Sequence, residues 1–392
     1  MSRDRVACGF LPLVDCAPVV VARELGFAAA EGIDLELHAQ PSWSAIRDRL
    51  VFGELHAAHM LSVLPVVMSM GLGAAADRID ALSVLSVNGN VIGAAPHLAE
   101  KMMSIGVDRN AGQAAAVGKA LIAASDGPLR IGVPFPFSMH AELLYYWLSA
   151  LGLEAPGDLN VRTVPPWQMA DAVSSNEIDA FCVGEPWGSV AVDRGDAEII
   201  LPGSAIWQFA PEKVLAARHD WVEENRAIAM RLIRALWQAG QWLGQADNLL
   251  TASDLLARRD YLDRPPEIIE RALTGRLILT KDASPVRMPG FLEFADRAAT
   301  FPWRSQGMWI ASRWAARAGI DRAEALSAGR ATFRSDLYRE AVQPIGADVP
   351  GASEKVEGAL AHRTEVASAR GEMFLGPDKF FDSAVFDPGG SA

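Results

Sequence analysis

Apolar positions in the first half of the chain follow two different periods. "RVACGFLP" is a short continuous apolar run and predicts a buried strand, while "APVVVARELGFAAAEG" carries apolar residues at helical spacing up to a glycine. "IDLELHAQ" alternates with period two and predicts a half-buried strand. "SAIRDRLVFG" predicts a short helix and "LHAAHM" a further strand. A strand–helix–strand–helix–strand order predicts a mostly parallel sheet with helices on both faces.

The same rhythm then returns. "LRIGVPFP", "LNVRTVPP" and "EIDAFCVGEP" read as strands, and "SMHAELLYYWLSALG" and "WQMADAVSSN" as the helices between them. Gly9 and Gly132 lie 123 positions apart, as do Glu54 and Glu177, and Trp43 and Trp167 lie 124 apart. Landmarks at nearly one offset predict a structural pseudo-repeat, and twin α/β lobes predict a ligand cleft between them.

Beyond residue 195 the pattern becomes mainly helical. "WVEENRAIAMRLIRALWQAGQWLGQ" predicts one long amphipathic helix. Others are predicted over "PEIIERALTG", "MPGFLEFADRAATF", "SQGMWIASRWAARAG" and "ATFRSDLYREAV". The C-terminal stretch "FLGPDKFFDSAVFDPGG" reads as a tail laid across the surface. The expected organisation is a first lobe over 1–88, a second over 89–199, a return to the first with C-terminal helices over 200–345, and an extension over 346–392.

Composition narrows the function. Half of the 392 residues are hydrophobic and 21% are charged, which suits a soluble globular protein. A formal charge of −12 argues against direct nucleic-acid contact, which usually shows a basic stripe. Cys8, Cys16 and Cys182 fit no zinc spacing and read as free thiols. The start "MSRDRVACGFLPLVD" shows no leader pattern, and no apolar run is long enough to span a bilayer, so a cytoplasmic location is expected.

Candidate chemistry gathers at strand ends. Ligands of open α/β sheets sit beyond the carboxyl ends of strands, at helix N-termini that favour anions. Trp43 and Trp167 both occupy such junctions, where an indole forms a flat wall with one N–H donor, although a single Trp is more often core packing. Ser138 reads as an N-cap, which leaves His140 in the first turn near the cleft mouth. Lys213 precedes the strand-like "VLAA" and alone reads as solvated. "VNGNVIG" reads as a hairpin or hinge turn followed by the amide of Asn90, and Glu185 in "GEPWG" as solvated. His56 and His59 fall on opposite faces of a strand and make a poor metal pair. No nucleophile elbow, P-loop, zincin or dinucleotide motif occurs, so a non-enzymatic role is expected, without cofactor or metal.

"GFLPLVDCAPVVVARELGF", "SWSAIRDRLVFGELHAAHML", "NGN", "PFSMHAELLYYWL", "GEPW", "PEKVL", "ATFPWRSQGMW" and "KVEG" occur in order over most of the chain. Together they resemble the nitrate-binding family of solute receptors, which includes the substrate-binding proteins of nitrate and bicarbonate ABC transporters. The resemblance implies a class II periplasmic-binding-protein fold, two α/β lobes joined by a hinge, with additional C-terminal helices. It implies that Trp43, Asn90, His140 and Lys213 hold the anion, with Trp167 lining the cleft. Asn90 departs from the Gln more usual in nitrate transporters. The bicarbonate branch carries an acidic residue where Lys213 stands and uses calcium, so the resemblance favours nitrate or nitrite without a metal. Lacking a visible leader, the chain resembles the cytoplasmic NasS-type nitrate/nitrite sensors. Their implied partner is an ANTAR-type RNA-binding antiterminator (NasT-type), held without ligand and released with it. The alternatives are the binding protein of a nitrate/nitrite ABC transporter and an enzyme of the same fold.

Overall fold

The computed structural model describes residues 3–72, 78–106, 113–371 and 373–390. The strands that carry the lobes are β1 (Asp4–Phe10), β2 (Ile33–Ala39), β3 (Ala57–Leu61), β4 (Ile79–Asn88), β5 (Asn90–Ala94), β6 (Arg130–Val133), β7 (Asn160–Thr163), β8 (Ala180–Gly184), β9 (Glu198–Pro202) and β10 (Pro211–Arg218). One sheet has the order β4-β10-β3-β1-β2, with the short strand Leu292–Glu293 added beside β4; the other has the order β7-β6-β8-β5-β9. In each, the central strand of the repeat pairs in parallel with both of its partners: β1 with β2 and β3, β6 with β7 and β8.

The pseudo-repeat extends to register. Gly9 faces Ala58 and Gly132 faces Phe181, partners that are also 123 positions apart. Both glycines answer the same packing demand. A Cβ on Gly9 would lie 2.5 Å from Leu55 Cδ1, and one on Gly132 would lie 2.7 Å from Ile178 Cδ1. Each central strand therefore lets an aliphatic side chain from the segment leading into its parallel neighbour, β3 or β8, close onto its backbone.

The chain crosses between sheets at Asn88–Gly89–Asn90 and again between β9 and β10. The turn after β4 is thus a hinge and not a hairpin. Asn88 (φ 61°) and Gly89 (φ 95°) supply the left-handed backbone it needs, residue types that tolerate this region best. Asn88 also ties the crossing segments together: Nδ2 donates to Gln208 O and Gly290 O at 2.9 Å each, and Oδ1 accepts from Ala210 N at 3.1 Å. The expected return at residue 200 falls inside β9, so the crossing itself comes after Pro202.

Several predicted helices are broken. Gly26 (φ 78°) divides the first into Ala17–Glu24 and Phe27–Ala30, and Asn225 separates His219–Glu224 from Arg226–Leu243. "MPGFLEFADRAATF" forms no α-helix, only a distorted 3-10 turn at Asp296–Ala298. Gly290 (φ 67°) interrupts it, Leu292 and Glu293 pair with Asn88 and Val87, and Arg297 and Ala298 hold positive φ. Pairing beside the hinge outweighs helical periodicity there. The tail is also more than a surface strap. The half-buried Lys355 pairs with buried Glu357 and Asp378, and Phe380 stacks on Trp207 with ring centres 4.7 Å apart.

Candidate functional site

Two serines fix the positions of two candidate residues. Ser42 Oγ accepts from Ala45 N at 3.1 Å, which starts the helix Trp43–Val51 at Trp43. Ser138 Oγ accepts from Ala141 N at 3.2 Å, which starts Met139–Ser149 and places His140 in its first turn, as the sequence predicts. Both are N-caps satisfying a backbone donor that the helix cannot. Asn90 opens β5 directly after the hinge, and Lys213 lies within β10 beside Leu61 of β3.

These four residues converge in one buried cluster. Asn90 and Trp43 are each 1% exposed, while His140 and Lys213 are 0% exposed. Lys213 is therefore not a solvated residue ahead of a strand. Its Nζ lies 2.7 Å from Asp15 Oδ2, 2.8 Å from Glu212 Oε1 and 5.5 Å from the centre of the Trp43 ring. Asp15 Oδ1 also lies 2.9 Å from His59 Nε2, and Glu212 Oε2 accepts from Asn90 Nδ2 at 2.6 Å. Trp43 and His59 rings sit 5.8 Å apart.

Burial and charge act in opposite directions. Burial alone would raise the Asp15 carboxyl, but Lys213 and His59 hold it well below the usual carboxylate range. Burial raises Glu212 despite the Lys213 ammonium. Burial would lower Lys213, and the two carboxylates more than reverse this. His59 and His140 are both lowered, chiefly by burial, and His140 further by Lys213, so each imidazole is neutral near pH 7. His140 Nδ1 lies 3.3 Å from Glu212 Oε1 but makes no hydrogen bond there.

Four side chains of the cluster hold polar atoms that the protein leaves unpaired: Trp43 Nε1, His59 Nδ1, Asn90 Oδ1, and both ring nitrogens of His140. Buried polar groups normally have partners, so atoms of this kind gathered in one place are natural contacts for a small polar ligand. Gly184, at the end of β8, borders these atoms. A Cβ there would lie 3.3 Å from Leu13 Cδ2, 3.6 Å from Asn90 Oδ1 and 3.7 Å from His140 Nε2. Asn90 and His140 thus face the same space beside a residue with no side chain. An indole N–H, an imidazole N–H, an amide and an ammonium suit a compact oxyanion.

Trp167 is placed differently. It is half-buried in the turn Pro166–Gln168, and its ring meets Trp187 edge-on at 6.3 Å. Trp187 Nε1 donates to Pro12 O at 3.0 Å, and Val14 N donates to Glu185 O at 2.8 Å. Trp187 and Glu185 thus join one lobe to the other with Trp167 packed beside Trp187, and only Trp43 joins the polar cluster. Glu185 is not solvated as expected: it is buried, its Oε2 accepts from Ser189 N at 3.1 Å, and burial raises its carboxyl to about 7.

The two histidines of "HAAH" diverge as predicted, but only one is idle. His56 Nδ1 accepts from Ala7 N at 2.9 Å outside the site, whereas His59 enters it. His59, Asp15, Glu212 and Gly184 escaped the sequence reading. Strand alternation sends neighbouring residues to opposite faces, so Glu212 and Lys213 should diverge. Register shifts between β10 and β4 at Pro211/Lys213 and Lys213/Val214 break that alternation, and both side chains enter the cluster.

Among the described residues, a side chain already serves as the cation at two carboxylate groupings that could invite one. Lys213 Nζ stands between Asp15 and Glu212. Asp80, His219 and Glu223 gather around Arg334, whose Nη1 lies 2.6 Å from Asp80 Oδ2 and 3.1 Å from Glu223 Oε1. Burial raises all three thiols, Cys8 to about 12, which leaves them poor nucleophiles.

The NMT1-like family is matched over residues 2–257. Curated relatives include the nitrate/nitrite binding protein NrtA of Nostoc sp., 29% identical over 99% of this chain and 84% of its own, and NrtA of Synechocystis sp., 30% identical over 97% and 81%. The nitrate import ATP-binding protein NrtC of Synechocystis sp. is 32% identical over 88% of this chain, which spans only 51% of that protein. Among solved structures, the periplasmic nitrate-binding protein NrtA from Synechocystis superposes with a TM-score of 0.83 at 28% identity, covering 98% of this chain and 96% of that one. The alkanesulfonate-binding protein SsuA from Xanthomonas axonopodis pv. citri matches at a TM-score of 0.58 and 15% identity over 84% and 98%, a likeness of fold alone. The two lobes are thus the periplasmic-binding-protein-like α/β fold, and the chain belongs to the NMT1-like family.

Proposed function

We propose that this protein binds nitrate or nitrite between its lobes and works as a cytoplasmic sensor. In this reading it holds an ANTAR-type RNA-binding antiterminator when empty and releases it when the lobes close on the anion. The observation that carries the ligand is the convergence of Trp43, Asn90, His140 and Lys213, with unpaired buried polar atoms on the first three. The NrtA relatives, named for nitrate and nitrite, support the same choice. Closure supplies the switch, because a partner that prefers the open form is expelled when the ligand favours the closed one.

The names of the relatives favour a second reading, the binding protein of a nitrate/nitrite ABC transporter. Both readings need the same site and the same closure; they differ in what reads the closed form. Calorimetry with nitrate, nitrite, bicarbonate and sulfate tests the ligand. Nitrate or nitrite is expected to bind at about micromolar Kd, equivalent to about −8 kcal/mol, with sulfate and bicarbonate far weaker. Co-elution with a purified ANTAR-domain antiterminator tests the partner. A complex that nitrate dissolves supports the sensor, and no complex in either condition leaves the transport receptor.

A further inference from the structure

The cluster has an unusual charge balance for an anion site. The Lys213 ammonium is shared by two carboxylates, Asp15 and Glu212, at 2.7 and 2.8 Å. Every other titratable group facing Glu212 is neutral near pH 7: His140 on the helix Met139–Ser149, His59 on β3 and Cys182 on β8. With Glu212 ionised, the group sum is −1 before any anion enters. A second uncompensated negative charge in a water-excluded site is costly.

Asn90 presents a related conflict. Its Nδ2 donates to Glu212 Oε2 at 2.6 Å, and Oδ1 is left unpaired toward Gly184 and His140. That orientation offers an acceptor to the ligand, and an oxyanion accepts only. A proton on Glu212 resolves both conflicts. The carboxyl then donates, Asn90 reverses its amide to accept with Oδ1, and its N–H groups turn to the ligand. Glu212 Oε1 still accepts from Lys213.

We propose that Glu212 is a positioning residue of this site, which takes up one proton with the anion and thereby turns the donor end of Asn90 toward it. This rests on the anion-binding reading above. Burial of Glu212 already favours its neutral form, and an adjacent anion favours it further. Binding is then linked to pH. Wherever the empty site is ionised at Glu212, affinity falls by up to about tenfold per pH unit as pH rises.

The test is calorimetric titration of the full chain with sodium nitrate, in buffers of different ionisation enthalpy, from about pH 6 to about pH 9. The number of protons taken up is expected to rise toward about one per nitrate at the alkaline end. Glu212→Gln, which keeps the size and can donate to Asn90, should bind nitrate with no buffer dependence and a flat pH profile. Nitrate binding by the unaltered protein with no proton uptake at any pH would overturn this inference while sparing the anion site. Proton uptake that persists in Glu212→Gln would place the proton on another group of the cluster and overturn it too. No nitrate binding at any pH would remove both readings together.

Discussion

At the residue scale, Lys213 decides whether the cluster holds together. Its ammonium is the shared counter-charge of two buried carboxylates, so it is structural before it touches any ligand. Replacing one member of a buried ion pair strands the others and costs about 3–5 kcal/mol. Lys213→Met should therefore lower the urea midpoint strongly at about pH 8 and abolish nitrate binding. The loss should shrink at about pH 5. The sign follows from Asp15: Lys213 and His59 hold its folded carboxyl low, so its stabilisation is present at neutral pH and is lost as pH falls through that depressed value. Without Lys213 the carboxyl can protonate at higher pH, and acid relieves the unpaired charge. Urea melts of both proteins at the two pH values check this; an equal loss at both would mean the ammonium is not the counter-charge.

At the scale of elements, the space beside Gly184 sets what β8 can admit. Its backbone does not need glycine, since its φ lies outside the left-handed region, and a methyl would meet Leu13, Asn90 and His140 only at 3.3 to 3.7 Å. Gly184→Ala should thus cost the fold about 1 kcal/mol or less, yet weaken nitrate about tenfold or more by filling the ligand's place. Gly93 is the contrast: a methyl there would fall 2.2 Å from Phe181 Cζ, so Gly93→Ala should lower stability by about 1–3 kcal/mol. Thermal melts and nitrate titrations separate the two effects; equal affinities for Gly184→Ala and the parent would remove Gly184 from the site. The sequence revealed much of this scale. Periodicity located β1, β2 and β3 and their repeat and put Trp43 at a strand-to-helix junction, and the Ser138 N-cap located His140 in a first helical turn. Asn90 and Lys213 came from family resemblance. Asp15, His59 and Glu212 stayed hidden for physical reasons. A β-bulge brings Glu212 to the face of its neighbour, and a single acidic residue in a short turn, or a histidine in a strand, gives no local signal. The false helix over "MPGFLEFADRAATF" failed similarly, because pairing with β4 at the hinge is a non-local contact.

At the scale of the whole molecule, closure is held by contacts that lie outside the polar cluster. Trp187 Nε1 donates to Pro12 O, Val14 N donates to Glu185 O, and buried Glu142 of one lobe pairs with Arg317 of the other. A ligand can shift the lobes only through its preference for the closed form, and a change at the clasp moves the same equilibrium from outside. Trp187→Phe keeps a ring against Trp167 but loses the N–H to Pro12, a hydrogen bond of about 1 kcal/mol, or about fivefold in the closing equilibrium. The nitrate Kd should rise by about that factor, mainly through faster dissociation. If the empty, open form is what an ANTAR-type antiterminator grips, the same variant should bind that partner more tightly by the same factor at saturating nitrate, since coupling between two ligands through one equilibrium is reciprocal. Stopped-flow release of nitrate and co-titration of the antiterminator give the two numbers independently. A variant that loses nitrate affinity without gaining partner affinity would separate closure from regulation and favour a receptor whose closed form is read at a membrane transporter.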